Sequence, residues 1–193
     1  YKEAMTAHSN AIEERVYNEI IARLKQDDST VPYRKRGYWY YTRFETGKEY
    51  PVYARKAGTL EAAEQVMLDG NALSTGHDFY EVGVMAIAPN DRILAYVDDT
   101  VGRRQYTLRF KDLETGETLA DHVENVDPYL AWTADSASVV YVEKHPETLL
   151  GYLVKRHVLG TDPSQDVLIH EEQDESFYTS VYNTKDDRYV LIK

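Results

Sequence analysis

A serine nucleophile needs a strained strand-to-helix elbow with glycine on either side, so that Oγ projects and the following helix can approach; the pattern is G-x-S-x-G. No serine here has it. Ser9, Ser29, Ser74, Ser136, Ser138, Ser164, Ser176 and Ser180 stand in polar turns or β-runs, where capping and local hydrogen bonding are their expected roles. With no cysteine, thiolate nucleophiles, thiolate metal sites and disulfides are removed together. Imidazole and carboxylate meet in "HEEQDE", His170 to Glu175, but without the helical HExxH spacing, and strand alternation sends neighbours to opposite faces. An acidic solvated loop is the expectation there, with no metal and no cofactor. His77, His122, His145 and His157 are scattered through turns and strands and take no catalytic role. "VDDTVGRR" sets Asp98 and Asp99 against Arg103 and Arg104 around one tight loop. A surface ion pair there is worth between 0 and about 1 kcal/mol. The 17 tyrosines could stack bases or sugars, yet tyrosine equally suits half-buried strands, with its ring packed and its hydroxyl at the edge. Core packing is the better account.

The elements that must position these groups change type near residue 31. Before it, Ile12, Val16, Ile20 and Leu24 recur every four residues, with Tyr17 and Ile21 widening the stripe, so a helix is expected. Asn10 is its expected cap with Glu13 three residues on, Arg23 and Lys25 its basic last turn, and Asp27 to Thr30 with Pro32 its stop. After residue 31 the chain runs in short stretches rich in Tyr, Val, Ile, Leu and Thr, broken by Gly, Pro, Asn and Asp at roughly 10-residue intervals, which is antiparallel strand texture. "ETGK" (Glu45 to Lys48) and "ETGE" (Glu114 to Glu117) place glycine where a hairpin needs positive φ.

A repeat sets the architecture. "IAPNDRILAYV" (Ile87 to Val97), "AWTADSASVVYV" (Ala131 to Val142) and "VYNTKDDRYVLI" (Val181 to Ile192) each pair an apolar start with a polar, Asp-bearing turn and a β-run. Their spacing, about 45 and then about 51 residues, matches four-stranded propeller blades. The expected fold is mainly β, an incomplete β-propeller of about three and a half blades behind an N-terminal α-helix. Residues 1–30 are the helical lead-in and 31–193 the partial propeller, with blades near 31–70, 79–123 and 128–172 and half of a fourth.

Charge narrows the partners. Lys plus Arg number 22 against 33 Asp plus Glu, a formal net charge of -11, which disfavours a phosphate-binding surface and so nucleic acid. No apolar run approaches the roughly 20 residues of a membrane-spanning helix, so no membrane association is expected. The chain begins with Tyr1 and ends on the apolar run Tyr189 to Ile192 followed by Lys193, as an excised segment of something longer would.

The stretch "AIEERVYNEIIARLKQDDSTVPYRKRGYWYYTRFETGKEYPVYAR" resembles the helix-to-propeller junction of the prolyl oligopeptidase family of serine peptidases. "GHDFYEVGVMAIAPNDRILAYVDDTVGRRQYTLRFKDLETGETL" and "KHPETLLGYLVKRHVLGTDPSQDVLIHEEQDESFY" are similar to its oligopeptidase B branch more than to the proline-specific branch. The resemblance runs through loops as well as strands and covers essentially the whole chain. It implies a cytoplasmic oligopeptidase cleaving short peptides after Arg or Lys, in which a seven-bladed propeller caps an α/β-hydrolase domain and excludes folded proteins. The Ser, Asp and His of such an enzyme follow the propeller in sequence, so no catalytic residue is expected within this chain and no peptidase activity from it alone. The expected partners are that C-terminal hydrolase domain and the parent's short basic peptides. Asp78, Arg103 and Arg104 are the candidates for interdomain contacts that set open and closed states. A stand-alone propeller that binds proteins, without enzymatic activity, is the alternative; a repeat array stopping mid-blade would leave open strand edges and self-associate through them. A lectin-like β-protein has no motif in its favour.

Overall fold

The computed structural model describes residues 9–193. Two compact units divide the chain, Tyr1–Val66 and Met67–Lys193.

Helix α1 spans Asn10–Ile21. It begins one residue earlier than the capping pattern implies: Ser9, not Asn10, is the N-cap, its carbonyl accepting from the Ile12 and Glu13 amides at 2.9 Å while its hydroxyl donates to Glu13 Oε1 at 2.8 Å. It also ends earlier, at Ile21 with Ala22 as C-cap, so Arg23 and Lys25 lie beyond the last turn. Both find carboxylates locally, Arg23 on Glu19 and Lys25 on Asp28 at 3.4 Å, which accounts for their placement without the helix dipole. Ile12, Val16 and Ile20 stay about half exposed.

The first sheet has the order β1-β2-β3-β4, with β1 Tyr33–Lys35, β2 Tyr38–Arg43, β3 Val52–Ala57 and β4 Glu64–Asp69. The β2–β3 hairpin turns through Gly47 at φ 75°, a region closed to most side chains. Arg55 is buried under the Tyr38 ring at 4.0 Å and donates to Gln65 at 2.7 Å, while Tyr33 stacks on Tyr40 at 5.5 Å. Arg43 is held by Glu64 at 3.0 Å and by Glu45, and the Arg43 guanidinium keeps the Glu64 carboxyl below the usual range. Burial first, and then Glu64, push the Tyr41 phenol up to about 12. These polar clamps flank the buried side chains of Tyr40, Val52, Ala54, Met67 and Leu68 in a small sheet.

The second unit opens with the one-turn helix α2, Gly70–Leu73, capped by Asp69. A seven-stranded antiparallel sheet follows in the order β11-β10-β9-β8-β7-β6-β5: β5 Glu81–Ile87, β6 Ile93–Asp99, β7 Tyr106–Asp112, β8 Thr118–Trp132, β9 Ser138–Lys144, β10 Gly151–Val158 and β11 Val167–Glu171. It is two blades sharing one strand. The first part of β8 pairs with β7 (Val123 opposite Leu108) and its end pairs with β9 (Trp132 opposite Val139), with register shifts on both sides. Asn125, at φ 58°, lies between the two halves. Strands β12 (Val181–Asn183) and β13 (Val190–Ile192) form the hairpin that opens the next blade. The incomplete propeller preceded by a helix is therefore as expected. Sequence places the start of the first outer strand, or its approach, at Tyr33 to Arg36, where β1 lies; the departure is residues 118–128 of β8, which the apolar pattern does not announce.

One apolar cluster unites the blades of this unit: Ala95, Val97, Leu108, Phe110, Val126, Trp132, Val139 and Tyr141 pack together. Every residue of β6 is buried, as a strand covered on both faces requires. Trp132 meets Phe110 edge-on at 6.1 Å and donates from Nε1 to the Ala86 carbonyl at 2.8 Å, one blade back. Asn183 closes on Trp132 from the following hairpin, accepting from its amide at 3.0 Å and donating to its carbonyl at 2.7 Å. Among the described residues, no helix is long and apolar enough to cross a membrane.

Candidate functional site

The β6–β7 turn is organised by one carboxylate. Asp99 is fully buried and accepts from the amides of Val101 (2.8 Å), Gly102 (3.0 Å) and Arg104 (2.6 Å). Asp98 faces the other way, bridging to Arg109 Nε at 2.9 Å and accepting from the Tyr80 hydroxyl at 3.3 Å. Burial, then the Asp98 charge, push the Tyr80 phenol far above its ordinary value. The expected pairing of Asp98 and Asp99 with Arg103 and Arg104 does not form. Cross-strand geometry gives Asp98 a closer cation, and the turn's own amides claim Asp99.

That leaves Arg103 and Arg104 exposed at the rim of a cleft of about 510 Å³, together with Glu81, Tyr106, Asp127, Tyr129, Lys144 and Tyr178. Lys144 is buried and anchors the cleft floor. Its ammonium lies 3.4 Å from Asp127, 5.2 Å from the Tyr106 ring centroid, and donates to the Arg104 carbonyl. Burial raises the Asp127 carboxyl above its ordinary range, and Lys144 opposes that shift. Gly151 admits this arrangement: a Cβ there would sit 2.7 Å from Val142 Cγ1 and 2.9 Å from Asp127 Oδ2. Leu150 and Gly151 also line a second pocket of about 300 Å³, walled by Tyr152 and Phe177 and edged by Glu171, Glu172, Asp174 and Glu175. A cleft of mixed charge, Arg103, Arg104 and Lys144 with Glu81 and Asp127, and an acidic pocket therefore share one ridge.

Of the residues singled out in sequence, Arg103 and Arg104 belong to the cleft, whereas Asp78 is exposed between α2 and β5, outside its lining. "HEEQDE" ends β11 and runs into the acidic pocket; His170 lies 3.8 Å from Glu172, and among the described residues no three His, Cys, Asp or Glu side chains converge as a metal site would require. The serines take turn roles: Ser136 Oγ accepts from the Asn90 amide at 3.0 Å, and Ser176 Oγ donates to Asp174 at 2.6 Å. His157 is fully buried, its Nδ1 2.8 Å from Asp166 and its Nε2 3.6 Å from Asp121, with the ring stacked on Phe110 at 5.6 Å. Tyr141 donates to the same Asp166 at 2.8 Å. This is an aspartate–histidine pair facing an aromatic ring; it joins β8, β10 and the approach to β11. Sequence reading missed Asp127 and Lys144, because they meet only through β8–β9 pairing.

Comparison with known proteins places this scaffold. Residues 1–193 match the family model described as prolyl oligopeptidase, N-terminal β-propeller domain. Dipeptidyl aminopeptidase BI of Pseudoxanthomonas mexicana is 50% identical over 207 residues, spanning 100% of this chain and 29% of that protein. Protease 2 of Moraxella lacunata is 31% identical over 188 residues, 93% of this chain and 27% of that protein. Oligopeptidase B from Leishmania major superposes with a TM-score of 0.93 at 33% identity, over 98% of this chain and 27% of that one. The chain thus spans under a third of the length of each. A helix, successive four-stranded blades and a family match over residues 1–193 make one conclusion: the chain belongs to the prolyl oligopeptidase family, as its N-terminal β-propeller domain.

Proposed function

We propose that the chain is the N-terminal propeller segment of a cytoplasmic serine oligopeptidase that hydrolyses short peptides after Arg or Lys. The propeller restricts substrate size and gates a C-terminal α/β-hydrolase domain that carries the Ser, Asp and His. The observation that carries this is the superposition on oligopeptidase B at a TM-score of 0.93 across 98% of the chain. Gating contacts are assigned to Asp78, Arg103 and Arg104, exposed charges whose side chains form no ion pair among the described residues. The experiment is turnover by the full-length protein of Arg- and Lys-containing peptides of rising length, repeated with Arg104→Glu. Cleavage after the basic residue that fails for folded proteins, and a shifted KM or kcat in the variant, are expected. Unchanged kinetics in Arg104→Glu would remove it from the gate, and equal cleavage of folded proteins would end the size-selection role.

A second reading has its own support, the 50% identity to a protein named dipeptidyl aminopeptidase. In that case the parent releases dipeptides from a free N-terminus. Acetylating the substrate's N-terminus separates the two: it abolishes dipeptide release and leaves internal cleavage after Arg intact.

A further inference from the structure

We propose that His157 is a proton-operated latch: its imidazolium ties the connection between β10 and β11 to the preceding blade, and loss of its proton releases that connection together with the β11 edge. Nothing in this latch depends on which peptides the parent cleaves.

The geometry calls for two ring protons. His157 is fully buried, with Nδ1 2.8 Å from Asp166 Oδ1 and Nε2 3.6 Å from Asp121 Oδ2. Asp166 is buried as well, and its other oxygen accepts from the Tyr141 hydroxyl at 2.8 Å. Burial, then Asp166, hold that phenol far above its ordinary value, so it stays a donor. A carboxylate oxygen 2.8 Å from Nδ1 requires a hydrogen between them. A neutral ring would then turn a bare lone pair on Nε2 toward the Asp121 carboxylate, and Nε2 makes no hydrogen bond among the described residues. Two acceptors opposed in a dry site is a costly arrangement. A second ring proton converts the same contact into an ion pair. The resulting charge lies against the Phe110 ring, 5.6 Å between centroids, within reach of cation–π attraction.

Around the ring stand Phe110 from β7, Asp121 from β8, Tyr141 from β9 and Asp166 from the approach to β11; of these, Asp121, Asp166 and Tyr141 titrate. On β10 itself Arg156 is exposed and Lys155 is engaged by Glu143 at 2.5 Å. Among the described residues neither carboxylate of the cluster forms an ion pair with lysine or arginine, which leaves the imidazolium as their counter-charge.

The cluster spans two blades. Asp121 lies in the part of β8 that pairs with β7, whereas His157 is near the end of β10 and Asp166 directly precedes β11. Asp121 also accepts from the Gly160 amide, so the segment from Gly160 to Asp166 is tethered at both ends by one set of side chains. Pairing of β11 with β10 starts at the next residue, Val167 opposite Arg156. A neutral ring parts Nε2 from Asp121, and the outermost strand loses its anchor on the preceding blade. The latched form holds one proton more than the open form, so rising pH favours the open one.

The test uses the full-length protein, in amide hydrogen exchange followed by mass spectrometry from the acid to the alkaline side of neutrality and corrected for the intrinsic pH dependence of exchange. Nitrogen NMR of protein labelled in its histidine rings runs beside it, with the His157 signal identified by its loss in His157→Gln. At the acid end both His157 nitrogens should carry hydrogen, and the amides of residues 160–171 should exchange about tenfold slower than at the alkaline end. Asp121→Asn separates a latch from ordinary packing. Its side-chain oxygen still accepts from Gly160 while its NH₂ donates to a neutral Nε2, so the segment should stay protected and change by less than about twofold across the series. His157→Gln has no titrating ring and should also lose the pH step. An unprotonated Nε2 at the acid end, protection unmoved by pH in the unmutated protein, or a pH step that survives in either variant overturns the latch.

Discussion

Asp99 has exchanged water for three backbone amides, and removing it leaves those donors facing a buried void. A buried donor left unsatisfied costs about 1–3 kcal/mol, so Asp99→Ala should lower the unfolding free energy read from urea titration by that order and loosen the Arg103–Arg104 turn. Asp99→Asn should not rescue it, because an amide NH₂ would face one of the same donors. A different carboxylate governs acid sensitivity. Arg92 donates to Asp112 from Nε at 3.0 Å and Nη2 at 2.7 Å, and this bond, with the Glu114 and Thr115 amides, holds the Asp112 carboxyl below its ordinary range. A depressed folded-state value means stability fully present above the ordinary carboxylate range and lost as pH falls through the depressed one. Arg92→Ala should therefore weaken the protein at neutral pH and flatten its acid limb, read from denaturation midpoints at a series of pH values. An unchanged acid limb would contradict the role given to this pair. The local character of such groups was legible in sequence, but their partners were not. Asp98 was read against its near neighbours Arg103 and Arg104, whereas strand pairing brings Arg109 to it.

At the scale of elements, the repeat has a common physical cause. Ala88, Thr133 and Thr184 amides donate to the carbonyls of Ile93, Ser138 and Tyr189, closing the same hairpin three times. Asn90, Asp135 and Asp186 accept from the amides two residues on, and Asp91, Ser136 and Asp187 each take positive φ near 60°. The polar residues recognisable in sequence as turns are thus those whose side chains stand in for backbone acceptors. Strand positions were legible where apolar alternation is strong, as in β6, β7 and β9. They were not in Thr118 to Pro128 of β8, where exposed or partly buried residues, most of them polar, are broken only by the isolated buried valines Val123 and Val126; β1, exposed throughout, was marked only by its approach to the aromatic run. The cleft escaped for a related reason, since Asp127 and Lys144 face each other only after β8 turns from β7 to β9. Gly151 at that junction is the sharpest element-level test. Gly151→Ala forces its Cβ onto Val142 and Asp127, and overpacking of this kind costs about 1–3 kcal/mol. A thermal midpoint equal to that of the unmodified chain would show that the cleft floor yields.

The molecule as a whole ends its larger sheet on β11, all of whose residues are exposed, with Val167, Leu168 and Ile169 each about half accessible. An apolar edge strand with open backbone donors and acceptors is a template for another strand. Opposing this is the formal net charge of -11, which repels a second copy over a range set by ionic strength, about 10 Å at 0.1 M salt. The two effects predict a specific dependence for the 193-residue chain expressed by itself. Self-association should grow with protein concentration across about 1 to 100 μM and should increase with added salt, since screening removes the repulsion while leaving edge pairing intact. Ile169→Lys places a charge in the apolar edge and should return the chain toward monomer at every salt concentration, as read by size-exclusion chromatography with light scattering. An association that weakens with salt would instead mean that ion pairs, and not the β11 edge, hold the copies together.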